Sequence, residues 1–277
     1  MPLDTSAYSL GLLRVDGRRW NDLRRMQARL RTQDAADGSS YLEMGHTKVM
    51  GVVSGPEELL ARRGGLVAGG GGALLEASAS VVVHVVVAGF AGVDRKRRGR
   101  NDRRIQEMEI TIARTFSSVI HTHLFPHSTI TISLHVLSTD GSLLAALFNA
   151  ATLALIDAGV PMADYVSACT SGSTVADTDI STTTTSETDP ILDLNAQEEL
   201  ELPFLTLATV GEGDKVAALV CESRLHVSLF EPLLAVGLDG CRQVRALLDE
   251  VVGERGRRMI RDGVAPKGDV LFAEVDG

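Results

Sequence analysis

Cysteine is scarce in this sequence. Cys169, Cys221 and Cys241 are odd in number and widely spaced. None forms a CxxC pair, which argues against a disulfide frame or a zinc site and points to a reducing compartment. Long apolar runs are missing too. The nearest candidate, "LLAALFNAATLALIDAG", carries Asn149 and Asp157 and falls short of the roughly 18 residues a membrane span needs, so it reads as a buried core helix. The opening "MPLDTSAYSLGLLRVDGRRW" lacks the basic-then-apolar order of a secretory signal, and export is not expected. A positive net charge is also absent. The formal charge is −9, whereas a protein acting alone on nucleic acid is usually basic.

The chain has 277 residues, 44% apolar, enough for one large domain or two smaller ones around a full core. Its bases are concentrated. "DRKRRGRNDRR" (Asp94 to Arg104) places Arg95, Lys96, Arg97, Arg98, Arg103 and Arg104 in one short stretch on an otherwise acidic body.

Hydrophobic periodicity divides the chain. A basic segment, Arg14 to Leu30, opens the folded part. "SYLEMGHTKVMGVVSGP" reads as a hairpin turning at Gly45. Gly69 to Gly72 lack the Lys-Ser/Thr of a phosphate loop and read as a flexible surface insertion. "SASVVVHVVVAGF" is a buried or half-buried strand, with His84 expected as a core histidine. After the basic run, Ile105, Met108, Ile112, Phe116, Val119 and Ile120 recur at helical spacing. Ile130, Ile132, Leu134 and Val136 then alternate with Thr129, Thr131, Ser133 and His135, a strand with one core face.

"STDGSLLAALFNAA" runs from that strand through a turn into an apolar helix stopped by Gly159 and Pro161. Such a turn often places an anion over a helix N-terminus. Here the first helical residues are Leu143 and Leu144, which cannot hold one; Ser142 is expected to cap. Ser171 to Pro190 is Ser/Thr-rich and reads as a loop. Two strands follow, joined by Gly-Glu-Gly-Asp, and then a long helix. Ser228 and Glu231 fit a capping box there, and Leu234, Leu238, Cys241, Val244, Leu248, Val251 and Val252 form its stripe. The expected class is α+β: two βα layers with mixed sheets and packed helices. The parts are expected at 14–165 and 166–262, with tails at 1–13 and 263–277. "HTHLFPH" has metal-like spacing, but His121 and His123 are expected to point apart, with no acid or Cys beside them. No metal or cofactor is expected, and Cys169 reads as a small core residue.

Five ordered segments together resemble the RNase PH family: "RVDGRR", "YLEMGHTKVMGVVSGP", the basic loop before a helix, "HVLSTDGSLLAALFNAATLALIDAGVPM" and "LDLNAQEE". The resemblance covers about Arg14 to Arg261 and implies an RNase PH-like fold (ribosomal protein S5 domain 2-like). Phosphorolytic members cut RNA from its 3′ end with inorganic phosphate. Their turn usually reads Asp-Gly-Gly-Thr-Arg, the Arg and backbone N–H groups holding the phosphate. In this chain Leu144 stands where the Arg belongs. The family also carries two acids six apart. Asp193 matches the first, and Glu199, one methylene longer than Asp, takes the place of the second. A solvated charged loop is the plainer reading of both acids.

The resemblance therefore implies a non-catalytic ring subunit of the eukaryotic RNA exosome. It would serve rRNA processing and RNA degradation in nucleus, nucleolus and cytoplasm. Implied partners are RNA, other RNase PH-like ring subunits, OB-fold and KH cap subunits, and a hydrolytic 3′–5′ exoribonuclease, with no membrane. It places the basic loop at the pore, with Arg103 and Arg104 on RNA phosphates. Arg95, Lys96, Arg97 and Arg98 align less securely. Alone, the run reads equally as a solvated loop, a nuclear localisation signal or a protein-partner patch. The rival functions are an active phosphate-dependent exoribonuclease and a stand-alone RNA-binding module.

Overall fold

The structure, a computed structural model, describes residues 14, 16–58, 78–92, 95, 102–174, 190–213, 215–225, 227–261 and 263. Its first sheet holds β1 (Met26–Leu30), β2 (Gly38–Met44), β3 (Thr47–Glu58), β4 (Ser80–Val87) and β5 (Ser128–Ser138) in the order β1-β2-β3-β5-β4. β4 pairs parallel to β5 and the other pairs are antiparallel, so this sheet is mixed as expected. The second sheet holds β6 (Val166–Ser173), β7 (Pro190–Leu192), β8 (Phe204–Val210) and β9 (Lys215–Val220), in the order β7-β6-β8-β9. It is antiparallel throughout, which corrects the expectation of two mixed sheets.

Among the described residues four α-helices cover the sheets: α1 (Arg103–Val119), α2 (Leu143–Ala158), α3 (Ala196–Glu201) and α4 (Val227–Arg261). α1 buries Ile105, Met108, Ile112, Phe116 and Val119, the stripe seen in the sequence. Its Phe116 ring meets Phe148 of α2 at a centroid distance of 6.1 Å. β5 buries Ile130, Ile132, Leu134 and Val136 completely on one face.

α2 is apolar nearly all round because it lies between the sheets, touching β2 and β3 on one side and β6 on the other. Its two buried polar side chains serve the second contact. The Asn149 amide donates to Ala168 O and accepts from Ala168 N–H, both at 2.9 Å, and Thr152 donates to Val166 O at 2.7 Å. One core cluster thus runs across the 165/166 boundary, from Leu42 through Leu147 to Val166, Val244 and Leu248.

Several expectations shift. α4 begins at Val227, so Ser228 lies one residue inside it rather than capping it. The stripe of α4 is Leu229, Leu233, Gly237, Gly240, Cys241, Val244 and Leu248; Leu234 and Leu238 are only partly buried. At Gly240 the helix presses so closely on β7 that a Cβ would lie 2.4 Å from Leu192 Cδ1. The Ser/Thr-rich segment is shorter than 171–190, because Ser171–Ser173 belong to β6 and Pro190 to β7. His84 is not a core histidine: β4 is an edge strand, and His84 lies on its exposed outer face. His121 and His123 do not point apart; their rings meet at 5.6 Å around a short 3-10 turn. Cys169 is buried, and burial pushes its thiol well up. The four consecutive glycines lie outside the described residues.

Candidate functional site

The site forms where β5 hands over to α2. Gly141 and Ser142 both take left-handed backbone, at φ 75° and 50°. Gly141 needs its missing Cβ for a second reason: the loop Asp193 to Ala196 lies against it. A Cβ there would stand 2.5 Å from Asn195 C and Leu194 O. Gly141→Ala should therefore cost about 2–4 kcal/mol, summing backbone strain and a backbone clash. Thermal unfolding measures this, and a loss under about 1 kcal/mol would mean that the loop can move aside.

Ser142 is not the side-chain cap expected of it. Its hydroxyl donates to Leu194 O at 3.1 Å, and it makes no side-chain cap bond to α2. Its backbone N–H donates instead to the carboxylate of Glu199, which reaches over from α3. An anion does lie at the entrance to α2, and it is the protein's own. Burial raises the Glu199 carboxyl above its ordinary value, and the Ser142 N–H and the Arg24 charge only partly offset this.

Two buried arginines hold the loop. Arg24 grips Asp193 with backbone N–H (2.9 Å), Nε (3.0 Å) and Nη2 (2.7 Å). The same guanidinium donates to Asp140 O and, at 3.4 Å, to Gly141 O. Arg14 donates to both carboxylate oxygens of Glu198 and to the carbonyls of Leu192 and Asp193. Asp193 is 0% exposed and sits at φ 52°. Burial raises its carboxyl, but the Arg24 charge and hydrogen bonds outweigh burial and hold it below its ordinary value. The expectation of a solvated acidic loop is thus corrected: Asp193 is a buried structural ion and Glu199 is part of a helix cap.

Beside the turn is a cleft of 450 Å³, lined among others by Arg104, Leu143, Glu199, Leu200, Phe204 and Glu222. Of the two leucines that follow the turn, the one lining this cleft is Leu143. Leu144 is 8% exposed and belongs to the core. The fold does bring a cation here that the local sequence lacked. Arg104 enters the cleft and pairs with Glu222 at 3.1 Å, with both side chains about half exposed. Two carboxylates then face one guanidinium, a poor balance for an incoming phosphate.

Of the basic run, Arg95 is exposed at φ 47°, and Lys96, Arg97 and Arg98 lie outside the described residues. Arg103 and Arg104 are exposed in the first turn of α1, capped by Asp102, whose carboxylate accepts from Arg104 N–H at 3.2 Å. Among the described residues no group of three His, Cys, Asp or Glu is placed to hold a metal. No described helix is long and apolar enough to cross a membrane. The arginines that sequence reading missed are Arg14 and Arg24. The available signal was Arg24 itself, a charged residue beside Leu23 in a segment whose neighbours Met26, Ala28 and Leu30 face inward.

Comparisons with known proteins agree with this architecture. The model of "3' exoribonuclease family, domain 1" (RNase PH) matches residues 22–161. The chain is 34% identical over 249 residues to exosome complex component ski6 of Schizosaccharomyces pombe, covering 90% of this chain and 94% of that one. It is 37% identical over 257 residues to exosome complex component RRP41 of Homo sapiens, covering 92% and 95%. Among solved structures, rice Rrp46 superimposes with a TM-score of 0.67 at 24% identity, over 85% of this chain and 98% of that one. The Archaeoglobus fulgidus exosome with RNA bound to the active site gives 0.68 at 20% identity, over 87% and 95%. These two likenesses show the fold, an RNase PH-like α+β arrangement.

Proposed function

This chain belongs to the RNase PH family of 3′ exoribonucleases, and on that premise we propose that it is a non-catalytic ring subunit of an RNA exosome. It contacts RNA in the central channel and supports 3′–5′ RNA processing and degradation, rRNA processing included, by an associated hydrolytic exoribonuclease. Its partners are RNA, other RNase PH-like subunits, and OB-fold and KH cap subunits. It works in nucleus, nucleolus and cytoplasm. The relatives named as exosome components, matched over nine-tenths of this chain, support the assembly.

The observation that carries the non-catalytic reading is the Glu199 carboxylate on Ser142 N–H. A phosphate nucleophile needs free donors and an unpaired cation at that turn. The N–H is taken, the expected Arg is Leu144, and the donors of Arg24 are spent on Asp193 and the carbonyls of the turn. Purified chain incubated with single-stranded RNA and inorganic phosphate should release no nucleoside diphosphate. Phosphate-dependent release above background would establish the rival, an active phosphorolytic exoribonuclease.

The RNA-contacting reading rests on Arg103 and Arg104. Cations in the first turn of a helix oppose its macrodipole. Two exposed arginines there work against helix stability, which fits a role in meeting phosphates. Arg95, Lys96, Arg97 and Arg98 extend the same positive stretch. Phosphate contacts give affinity without sequence preference, as a channel for many RNAs requires.

A further inference from the structure

Among the described residues β1 is the outer strand of the first sheet and pairs only with β2. Bonds flanking it set which backbone groups face which way. Gly45 N–H donates to Arg25 O, and Arg31 N–H donates to Ser39 O. Odd-numbered residues therefore bond to β2, and by the period of two the N–H and C=O of Met26, Ala28 and Leu30 face away from it. A groove of 620 Å³ runs along this free edge, with Leu247, Val251, Glu254 and Arg255 of α4 as its other wall. Arg255 Nε is buried and has no hydrogen-bond partner among the described residues.

We propose that this groove receives an extended segment of a partner protein, added as a further strand on β1 with two apolar side chains and one carboxylate on its inner face. The proposal rests on the reading of this chain as a subunit of an assembly. The spacing supports it. Leu247, Val251 and Arg255 follow each other one helical turn apart, about 6 Å along the axis. Alternate residues of a strand are about 6.7 Å apart. A strand on β1 thus brings successive inward side chains over Leu247, Val251 and Arg255 in turn. The pattern is apolar-x-apolar-x-acid if the added strand is parallel to β1, and the reverse if antiparallel.

The chemistry selects a peptide over RNA. The free edge offers donors and acceptors in alternation, which another backbone matches and a phosphate chain, accepting only, does not. Glu250 and Glu254 also line the groove and repel a polyanion. Glu254 is satisfied by Arg258 at 2.6 Å, so the unmet demand is for an acceptor at Arg255.

The test uses the full chain and two labelled peptides, Lys-Thr-Val-Thr-Val-Thr-Glu-Thr-Lys and its reverse, read by fluorescence anisotropy. Saturable binding of one order is expected, about tenfold weaker when the peptide Glu becomes Gln. Ala28→Pro removes an N–H that faces the groove, not β2, so it should weaken binding at least tenfold with little change in melting temperature. If that variant misfolds, Val251→Asp on the opposite wall gives the same reading. Arg255→Met should erase the preference for Glu over Gln. Absence of saturable binding, or binding that ignores Ala28→Pro and Val251→Asp, overturns the proposal. So does binding that appears only after residues 264–277 are deleted, or that oligo(U) competes away, or that reflects self-association of the chain. Assembly into the ring and RNA affinity are measured separately. A chain that binds peptide but enters no ring refutes the subunit reading alone; one that enters the ring but binds no peptide refutes the groove alone.

Discussion

Replacing Arg24 with Met should lower stability by about 3–5 kcal/mol, the usual cost of leaving one member of a buried ion pair alone. In a domain of this size that is a fall in melting temperature on the order of 10 °C. Two contacts set the scale: Asp193 loses both guanidinium donors of Arg24 while remaining fully buried. Only the backbone N–H would survive the substitution. Arg24→Lys should recover little, because an ammonium cannot reach both Asp193 oxygens and the carbonyls of Asp140 and Gly141 together. The pH dependence has a definite sign. The folded Asp193 carboxyl lies below its ordinary value, so its contribution is complete above about pH 4, where the unfolded carboxyl is ionised. It is lost as pH falls through the lower folded value. Urea unfolding of wild type and Arg24→Met should therefore differ most near neutrality and converge as pH falls below the ordinary carboxylate range. A gap of under 1 kcal/mol at pH 7 would contradict the role given to the pair.

The second large effect is on RNA. Changing Arg103 and Arg104 together to Glu removes two phosphate contacts. For single strands each contact contributes about 0.7 to the log–log salt slope, so the slope should fall by about 1.4 and affinity by roughly 25-fold at 0.1 M salt. In the reconstituted complex, long RNA tails should decay more slowly with the assembly intact. Arg104 gives up only an exposed pair with Glu222, worth at most about 1 kcal/mol. Acids in the first turn of α1 suit the macrodipole, which offsets part of the lost pair and of the repulsion from Glu199 and Glu222, so the variant should melt within a few degrees of wild type. Loss of RNA affinity in an unharmed fold separates contact from misfolding. Unchanged binding and decay would remove the channel role from these residues.

What could be read beforehand followed the range of the forces involved. The α1 stripe and the alternation of β5 are local patterns of apolar residues, and both are present as expected. His84 departs from its expected place because a run of valines on both faces reads as buried, although among the described residues β4 has a sheet neighbour on one side only. The two acids were misread for a different reason. Asp193 finds Arg24 at a separation of 169 residues, and Glu199 finds Ser142 at 57. Nothing in the local window of "LDLNAQEE" marks them as buried or capping, and only the closed fold supplies their partners. The resemblance marks Leu144 as the altered residue of the turn. Which of the two leucines meets the cleft depends on how α2 packs, and the fold turns Leu143 to it and Leu144 into the core.

The burial of α2 between two sheets has a consequence for synthesis. Its far side is covered only when β6 and β8, ending at Val210, have left the ribosome. At 5–20 residues per second the helix waits roughly 3–10 s after Ala158 with an apolar flank open to solvent. During that interval the nascent chain presents the flank that carries Asn149 and Thr152, whose partners Ala168 and Val166 are not yet in place. A chaperone that shields short apolar helices therefore has its clearest target here, between completion of α2 and closure of the second sheet.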